Sequence, residues 1–225
     1  MNSDKKIYLF DFDGTLVDSM PYFVGLMLRI LDENNIKYER DIVKIITPLG
    51  YAGTARYFRT LGIDATVEEL MAKMQEYAKE AYTYKIGEKA KVTETLKALK
   101  KSGASLNILT ASPHSALDPC LKRLGIVELF DNVWSSDDFG TTKSDPEIYR
   151  AAARRMEVDV CKVIFVDDNV NAVKTAKEGG MISYGIYDDS SPDFVDQMKE
   201  VSDRYLMSFD ELLIETAESA QGERR

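Results

Sequence analysis

Short apolar runs that stop abruptly at acidic residues constrain this chain most. Residues 7–10, IYLF, end at Asp11, and residues 163–166, VIFV, end at Asp167 and Asp168. Residues 106–109 and 182–187 form further runs of this kind, residues 133–135 a weaker one, and residues 204–207 read as an added edge. Such short runs, with β-branched side chains among them, fit strands buried on both faces of a parallel sheet. The segments between them carry helical signals. Val92, Leu96 and Leu99 precede Gly103; Pro146 is followed by Ile148, Ala152 and Met156; a third helix stops at Gly179-Gly180. Strand and helix in alternation predict an α/β fold with a Rossmann-like open parallel sheet.

One stretch breaks the alternation. Between Met20 and Tyr84 no strand pattern occurs, while Phe23, Met27, Ile30 and Leu31 recur at helical spacing. Residues 54–61 read as a helix stopped by Gly62. Thr66-x-x-Glu69 is a capping box that opens a helix with Leu70, Met74, Tyr77 and Ala81 on one face. The expected organisation is an α/β core of residues 1–17 and 85–214, a helical insertion of residues 18–84 and a flexible polar tail of residues 215–225.

Composition removes several function classes. A net charge of −9 opposes binding of a nucleic-acid polymer. His114 is the sole histidine, so a His-based triad or a multi-histidine zinc site is nearly ruled out. Hydrolytic chemistry here has to rest on carboxylates. Cys120 and Cys161 form no CxxC pair and are expected to be reduced thiols of a cytoplasmic protein. No segment reads as a signal or a membrane span, so no membrane partner is expected. An acidic, soluble chain is compatible with a monomer or a weak dimer.

The sequence IYLFDFDGTLVDS puts Asp11 and Asp13 at the C-terminal end of the first strand, where open parallel sheets bind ligands. Carboxylates two residues apart can point into one pocket and share a divalent cation. Gly14 permits a sharp turn or a close approach, and Thr15 offers a hydroxyl to a phosphate. DFDGTLVDS resembles the first motif of the haloacid dehalogenase superfamily, in particular its aspartate-dependent phosphotransferases. The phosphoglycolate phosphatase and β-phosphoglucomutase-like subgroup with a helical cap is the nearest likeness. Three further motifs follow in order: Thr110 in NILTASPH, Lys143 in TTKSDPEIY, and Asp167-Asp168 in VIFVDDN. The likeness runs from Ile7 to about Leu213.

This resemblance implies a Mg²⁺-dependent phosphatase acting on a small phosphorylated metabolite. Asp11 would be the nucleophile, and Asp13 would protonate the leaving alcohol and then activate water. Thr110, with the backbone of Ala111 and Ser112, would hold phosphoryl oxygens, and Lys143 would neutralise charge. Mg²⁺ would be held by Asp11, the carbonyl of Asp13 and Asp168, with Asp167 as an outer or second ligand. Ser112-Pro113 reads as a helix cap, Asp118-Pro119 as the start of a second helical segment, and His114 as a solvated helix start. The helical insertion resembles the family's mobile cap, with Tyr51 and Arg56 as candidate readers of the substrate, Arg56 through a second anionic group. Dehalogenases lack an acid at the position of Asp13. Phosphonatases need a cap lysine, and none lies between Lys44 and Lys73. β-Phosphoglucomutase relatives carry a histidine where this chain has Phe23. A phosphomutase remains the alternative, and a catalytically silent binding protein a further one.

Overall fold

The structure, a computed structural model, describes residues 5–39 and 41–214. The polar tail expected at residues 215–225 lies outside the described residues. The chain divides into two units, one formed by the residues up to Asp18 and from Gly87 onward, the other by Ser19–Ile86.

The larger unit is a sheet of strands β1 (Ile7–Phe10), β2 (Ser105–Thr110), β3 (Asn132–Ser135), β4 (Val163–Asp167), β5 (Ile182–Ile186) and β6 (Arg204–Leu206). Their order is β3-β2-β1-β4-β5-β6 and every pairing is parallel. The first strand is therefore central, with β2 and β4 on either side. The chain leaves β1 towards β2 and β3 and later returns to its other flank at β4, which makes this flank the topological switch point. β1 and β4 are buried along their whole length, as their unbroken apolar runs require.

The smaller unit holds helices α1 (Met20–Glu33), α2 (Ile42–Ile46), α3 (Gly50–Thr60) and α4 (Val67–Tyr84). In the larger unit the helices are α5 (Val92–Lys101), α6 (His114–Leu124), α7 (Pro146–Arg155), α8 (Val170–Glu178) and α9 (Val195–Val201). Helices α7 and α8 pack on the central strands through Ile148, Tyr149, Ala152, Ala172 and Ala176, with the rings of Tyr149 and Phe165 5.0 Å apart. Small residues at the helix positions let these helices sit close to the sheet.

Three local readings need correction. Ser112 does not cap α6: the helix begins at His114 behind an extended Pro113, and the serine side chain is committed elsewhere. Pro119 does not start a new segment either, because α6 runs through it. The carbonyl that loses its partner there is that of Ser115, an exposed residue that water can serve. Helix α3 starts at Gly50, four residues before the span read from its apolar positions.

In the smaller unit the capping box at Thr66 forms as its residues demand, with the Glu69 amide donating to Thr66 Oγ1 at 3.1 Å. Glu33, at the end of α1, collects Lys73 Nζ at 2.5 Å, the Tyr77 hydroxyl at 2.6 Å and Arg29 Nε at 3.0 Å. The Arg29 guanidinium also lies 3.8 Å above the Tyr77 ring. Lys73 first, then Tyr77 and Arg29, hold the Glu33 carboxyl down at about 2 against an ordinary 4.5. A depressed carboxyl contributes stability that is complete above its unfolded value and is lost as pH falls through its folded value. The stability advantage of the parent over Glu33→Gln is expected to be constant above about pH 5 and to shrink steadily towards about pH 2. Urea midpoints measured across that range check it; an advantage that grows on acidification contradicts this ion-pair cluster.

Candidate active site

Asp11 directly follows the central strand, and its amide donates to the Val166 carbonyl at 2.9 Å, so pairing with β4 continues past the strand end. This places the carboxylate of Asp11 beside those of Asp167 and Asp168 at the switch point. One oxygen from each of the three lies within 4.8 Å of the others. Asp11 and Asp167 are buried and Asp168 is half-buried.

The turn after Asp11 is built by its backbone. The Leu16 and Val17 amides donate to the Phe12 carbonyl, and the Gly14 amide donates to the Val17 carbonyl at 2.9 Å. Gly14 has a φ of +76°, and a β-carbon there would stand 2.5 Å from Asp168 Oδ2. Glycine is thus required twice, for the left-handed turn and for the approach of Asp168. Thr15 is fully buried, and its hydroxyl donates to Asp168 Oδ1 at 3.0 Å while accepting from the Asp168 amide at 3.2 Å. In this structure the hydroxyl orients the Asp168 carboxylate.

Lys143 comes from the loop before α7. Asp145 caps that helix by accepting from the Glu147 amide at 2.9 Å, and Pro146 fixes its first turn. Lys143 Nζ reaches Asp11 Oδ1 at 2.5 Å and Asp167 Oδ2 at 2.8 Å. The second oxygen of Asp167 accepts from the Asn169 amide at 2.7 Å. Burial alone would lower the Lys143 ammonium, but the facing Asp11 and Asp167 outweigh it and hold it above the usual lysine range. For Asp11, burial pushes the carboxyl up; Lys143 pulls it back, while Asp167, Asp168 and Asp13 push further, leaving it well above the ordinary range. Asp168 is pushed up to about 7 by burial, then by Asp167 and Asp188. One ammonium does not balance this many buried acids. Hard oxygen donors converging with excess negative charge fit a divalent cation.

The end of β2 supplies the remaining groups. Thr110 is buried; its hydroxyl accepts from the Ser112 amide at 3.1 Å, and its carbonyl accepts from Ser136 Oγ at 3.0 Å. Ser112 Oγ donates to Asp13 Oδ2 at 2.5 Å, which ties the loop after β2 to the loop after β1. The Asp13 carboxylate lies outside the group of three converging acids. Ala111 is exposed beside them. His114 sits between Asp118 and Asp138, 2.9 Å from each, in a surface ion-pair arrangement. In the helical unit, Tyr51 packs near Phe23 with ring centroids 6.3 Å apart, and Arg56 is exposed on α3.

The family model for haloacid dehalogenase-like hydrolases matches residues 5–180. The chain belongs to the haloacid dehalogenase-like hydrolase family. Among characterised relatives of this hydrolase, the pyrophosphatase PpaX of Bacillus velezensis is 32% identical over 188 residues, covering 82% of this chain and 85% of that protein. A phosphoglycolate phosphatase of Colwellia psychrerythraea is 28% identical over 196 residues, covering 81% and 84%. A solved structure from Thermotoga maritima, provisionally assigned as a β-phosphoglucomutase, superposes with a TM-score of 0.82 at 25% identity, covering 95% and 99%.

Two residues of this hydrolase's site carry no signal in the motifs. Tyr149 places its hydroxyl 3.0 Å from the Lys143 carbonyl and 3.2 Å from that of Ala172, so it anchors the lysine loop to the core. Its position on the apolar face of α7 marks it only as a core residue. Lys89 donates to the Gly14 carbonyl at 2.6 Å, the Tyr187 carbonyl at 2.8 Å and Asp188 Oδ2 at 2.7 Å. It clamps the turn behind Asp13 to the end of β5, using partners far away in sequence. Burial alone would raise Asp188, but the hydrogen bonds from Lys89 and Ser190 hold it below the ordinary range. Lys89→Met leaves a buried carboxylate and two carbonyls without their cation and is expected to destabilise the protein by about 3 kcal/mol. Urea unfolding measures this, and a loss under about 1 kcal/mol contradicts the clamp.

Proposed function

We propose that this hydrolase is a Mg²⁺-dependent phosphatase that hydrolyses a small phosphate monoester through a phosphoryl group carried on Asp11. The observation that supports it is the buried contact of Asp11 with Lys143, set among Asp167 and Asp168 at adjacent strand ends. An aspartate needs no base to become a nucleophile; its obstacle is repulsion from an anionic phosphate. Lys143 reduces that repulsion at the attacking oxygen itself. Asp11 and Asp168 are the ligands proposed for Mg²⁺, with the backbone carbonyl of Asp13. Asp167 has one oxygen on Lys143 and the other on the Asn169 amide, which favours a supporting role for it. When bound, Mg²⁺ supplies charge neutralisation and orients the phosphoryl oxygens.

In the first step an Asp11 oxygen bonds to phosphorus, the ester P–O bond breaks, and the leaving oxygen takes a proton from the Asp13 carboxyl. In the second, Asp13 removes a proton from water, the water oxygen bonds to phosphorus, and the bond to Asp11 breaks. Ser112, which holds Asp13 Oδ2, keeps this carboxyl aimed across both steps. The Thr110 hydroxyl, itself held by the Ser112 amide, and the Ala111 amide are the proposed donors to phosphoryl oxygens, and the helical unit is the proposed lid that excludes water.

The curated relatives include phosphatases of phosphoglycolate and of phosphorylated carbohydrates, in keeping with a small phosphorylated metabolite as substrate. No helix among the described residues is long and apolar enough to cross a membrane. The two cysteines are free thiols, Cys120 buried and Cys161 exposed, which supports a cytoplasmic setting. A monomer or weak dimer is proposed. A phosphomutase is the second reading, favoured by the superposition with the Thermotoga maritima protein. Against it, the position of the mutase histidine holds Phe23, packed against Tyr51 and Tyr82.

Asp11→Asn keeps the shape of the side chain and removes the nucleophile. Phosphate release from an ester panel is expected to fall by at least about a thousandfold with an unchanged circular dichroism spectrum. Activity within tenfold of the parent, in a preparation free of other phosphatases, rules out Asp11.

A further inference from the structure

Lys89 lies outside the group of converging acids, yet its ammonium reaches the turn that follows Asp11. A lysine ammonium has three N–H donors, and Lys89 spends them on three oxygens of the α/β unit. These are the Gly14 carbonyl at 2.6 Å, the Tyr187 carbonyl at 2.8 Å and Asp188 Oδ2 at 2.7 Å. The Lys89 side chain is 19% exposed and that of Asp188 only 4%. The other Asp188 oxygen accepts from the Ser190 amide at 2.9 Å and from the Ser190 hydroxyl. The Lys89 backbone is anchored to the same turn, its amide donating to the Leu16 carbonyl at 3.0 Å.

Gly14 is the reason this turn needs an outside hold. The glycine leaves room for Asp168, but a residue without a side chain is also the one freest to leave its conformation. The peptide before it is fixed by the Gly14 amide, which donates to the Val17 carbonyl, and planarity then directs the Asp13 carbonyl the opposite way. The peptide after it is held through the Gly14 carbonyl by Lys89. Asp168 and Asp188 also line one small recess beyond the ends of β4 and β5, so the clamp and the carboxylate cluster are neighbours. We propose that Lys89, neutralised by Asp188, is a positioning residue of the cation site: it holds the Gly14 turn so that the Asp13 carbonyl and the Asp168 carboxylate stay placed for a divalent cation. This rests on the reading of those oxygens as Mg²⁺ ligands. Position and charge make opposite demands here. An ammonium repels Mg²⁺, and without it Asp188 attracts Mg²⁺, so charge alone has Lys89→Met bind the cation more tightly. Loss of the clamp has it bind about ten- to a hundredfold more weakly, as for other groups that orient metal ligands from behind.

Calorimetric titration of Mg²⁺ into the substrate-free full chain separates the two effects. Lys89→Met and the double variant Lys89→Met/Asp188→Asn are each expected to lose at least about tenfold in Mg²⁺ affinity. The double variant removes both charges together and leaves no buried carboxylate unpaired, so it is expected to fold even where Lys89→Met does not. Circular dichroism checks both. In turnover of a phosphate ester, the Mg²⁺ concentration for half-maximal rate is expected to rise by the same factor, a shift that lower stability alone does not produce in a folded enzyme. Affinity of the double variant within about threefold of the parent, or tighter binding by Lys89→Met, overturns the inference and leaves the metal site standing. A parent chain that takes up no Mg²⁺ removes the metal site and this inference together.

Discussion

Lys143 lies between two carboxylates that the fold buries, and the rest of the site is arranged around this charge balance. Asp11 and Asp167 end neighbouring strands of a sheet covered on both faces, so neither acid can retreat into water. Removing one partner from such a buried pair costs about 3–5 kcal/mol, because the survivor remains as an unpaired charge. The position of Lys143 is correspondingly over-determined. Asp145 and Pro146 start the helix behind it, Tyr149 fixes its carbonyl, and the Phe165 ring lies 6.0 Å from its ammonium. A lysine held this firmly would not need to move for the proposed attack, which would then need little reorganisation.

The negative charge left over gives the pocket its chemistry. Asp168 joins the cluster through Thr15 and through a glycine without which its carboxylate has no room. Behind that turn, Lys89 draws the Gly14 carbonyl and Asp188 together, so a second cation supports the loop from outside the cluster. These contacts hold converging carboxylates in place before any cation or substrate is bound.

Most of the sheet was legible because its signal is local: an apolar run buried on both faces cannot be mistaken for a surface helix, and at β1 and β4 an acidic stop marks the strand end. The motif residues Asp11, Asp167 and Asp168 were legible for the same reason, standing at or just past the ends of β1 and β4, while Lys143 was marked only by the Asp-Pro helix start that follows it. What stayed hidden depends on distance along the chain. Nothing in the neighbourhood of Thr15 reveals that its hydroxyl meets Asp168, 153 residues away. Ser112 looked like a helix cap because Ser-Pro before a helix usually is one, whereas its partner, Asp13, lies a whole insertion away. Lys89 had no local signal at all. In the helical unit, helical periodicity identified the buried faces, yet periodicity describes which residues turn inward and not how completely they fill the space between helices. The groove lined by Phe23 and Tyr51 is a property of that filling.

The account stands or falls on covalent chemistry at Asp11. An acyl phosphate on an aspartate is reduced by borohydride to homoserine, so quenching the parent enzyme during turnover marks the nucleophile directly. Mass spectrometry of the peptide spanning residue 11 is predicted to find homoserine there when ester and Mg²⁺ are both present, and aspartate when either is withheld. Turnover that continues while residue 11 stays unreduced, or reduction at another acid, contradicts the account.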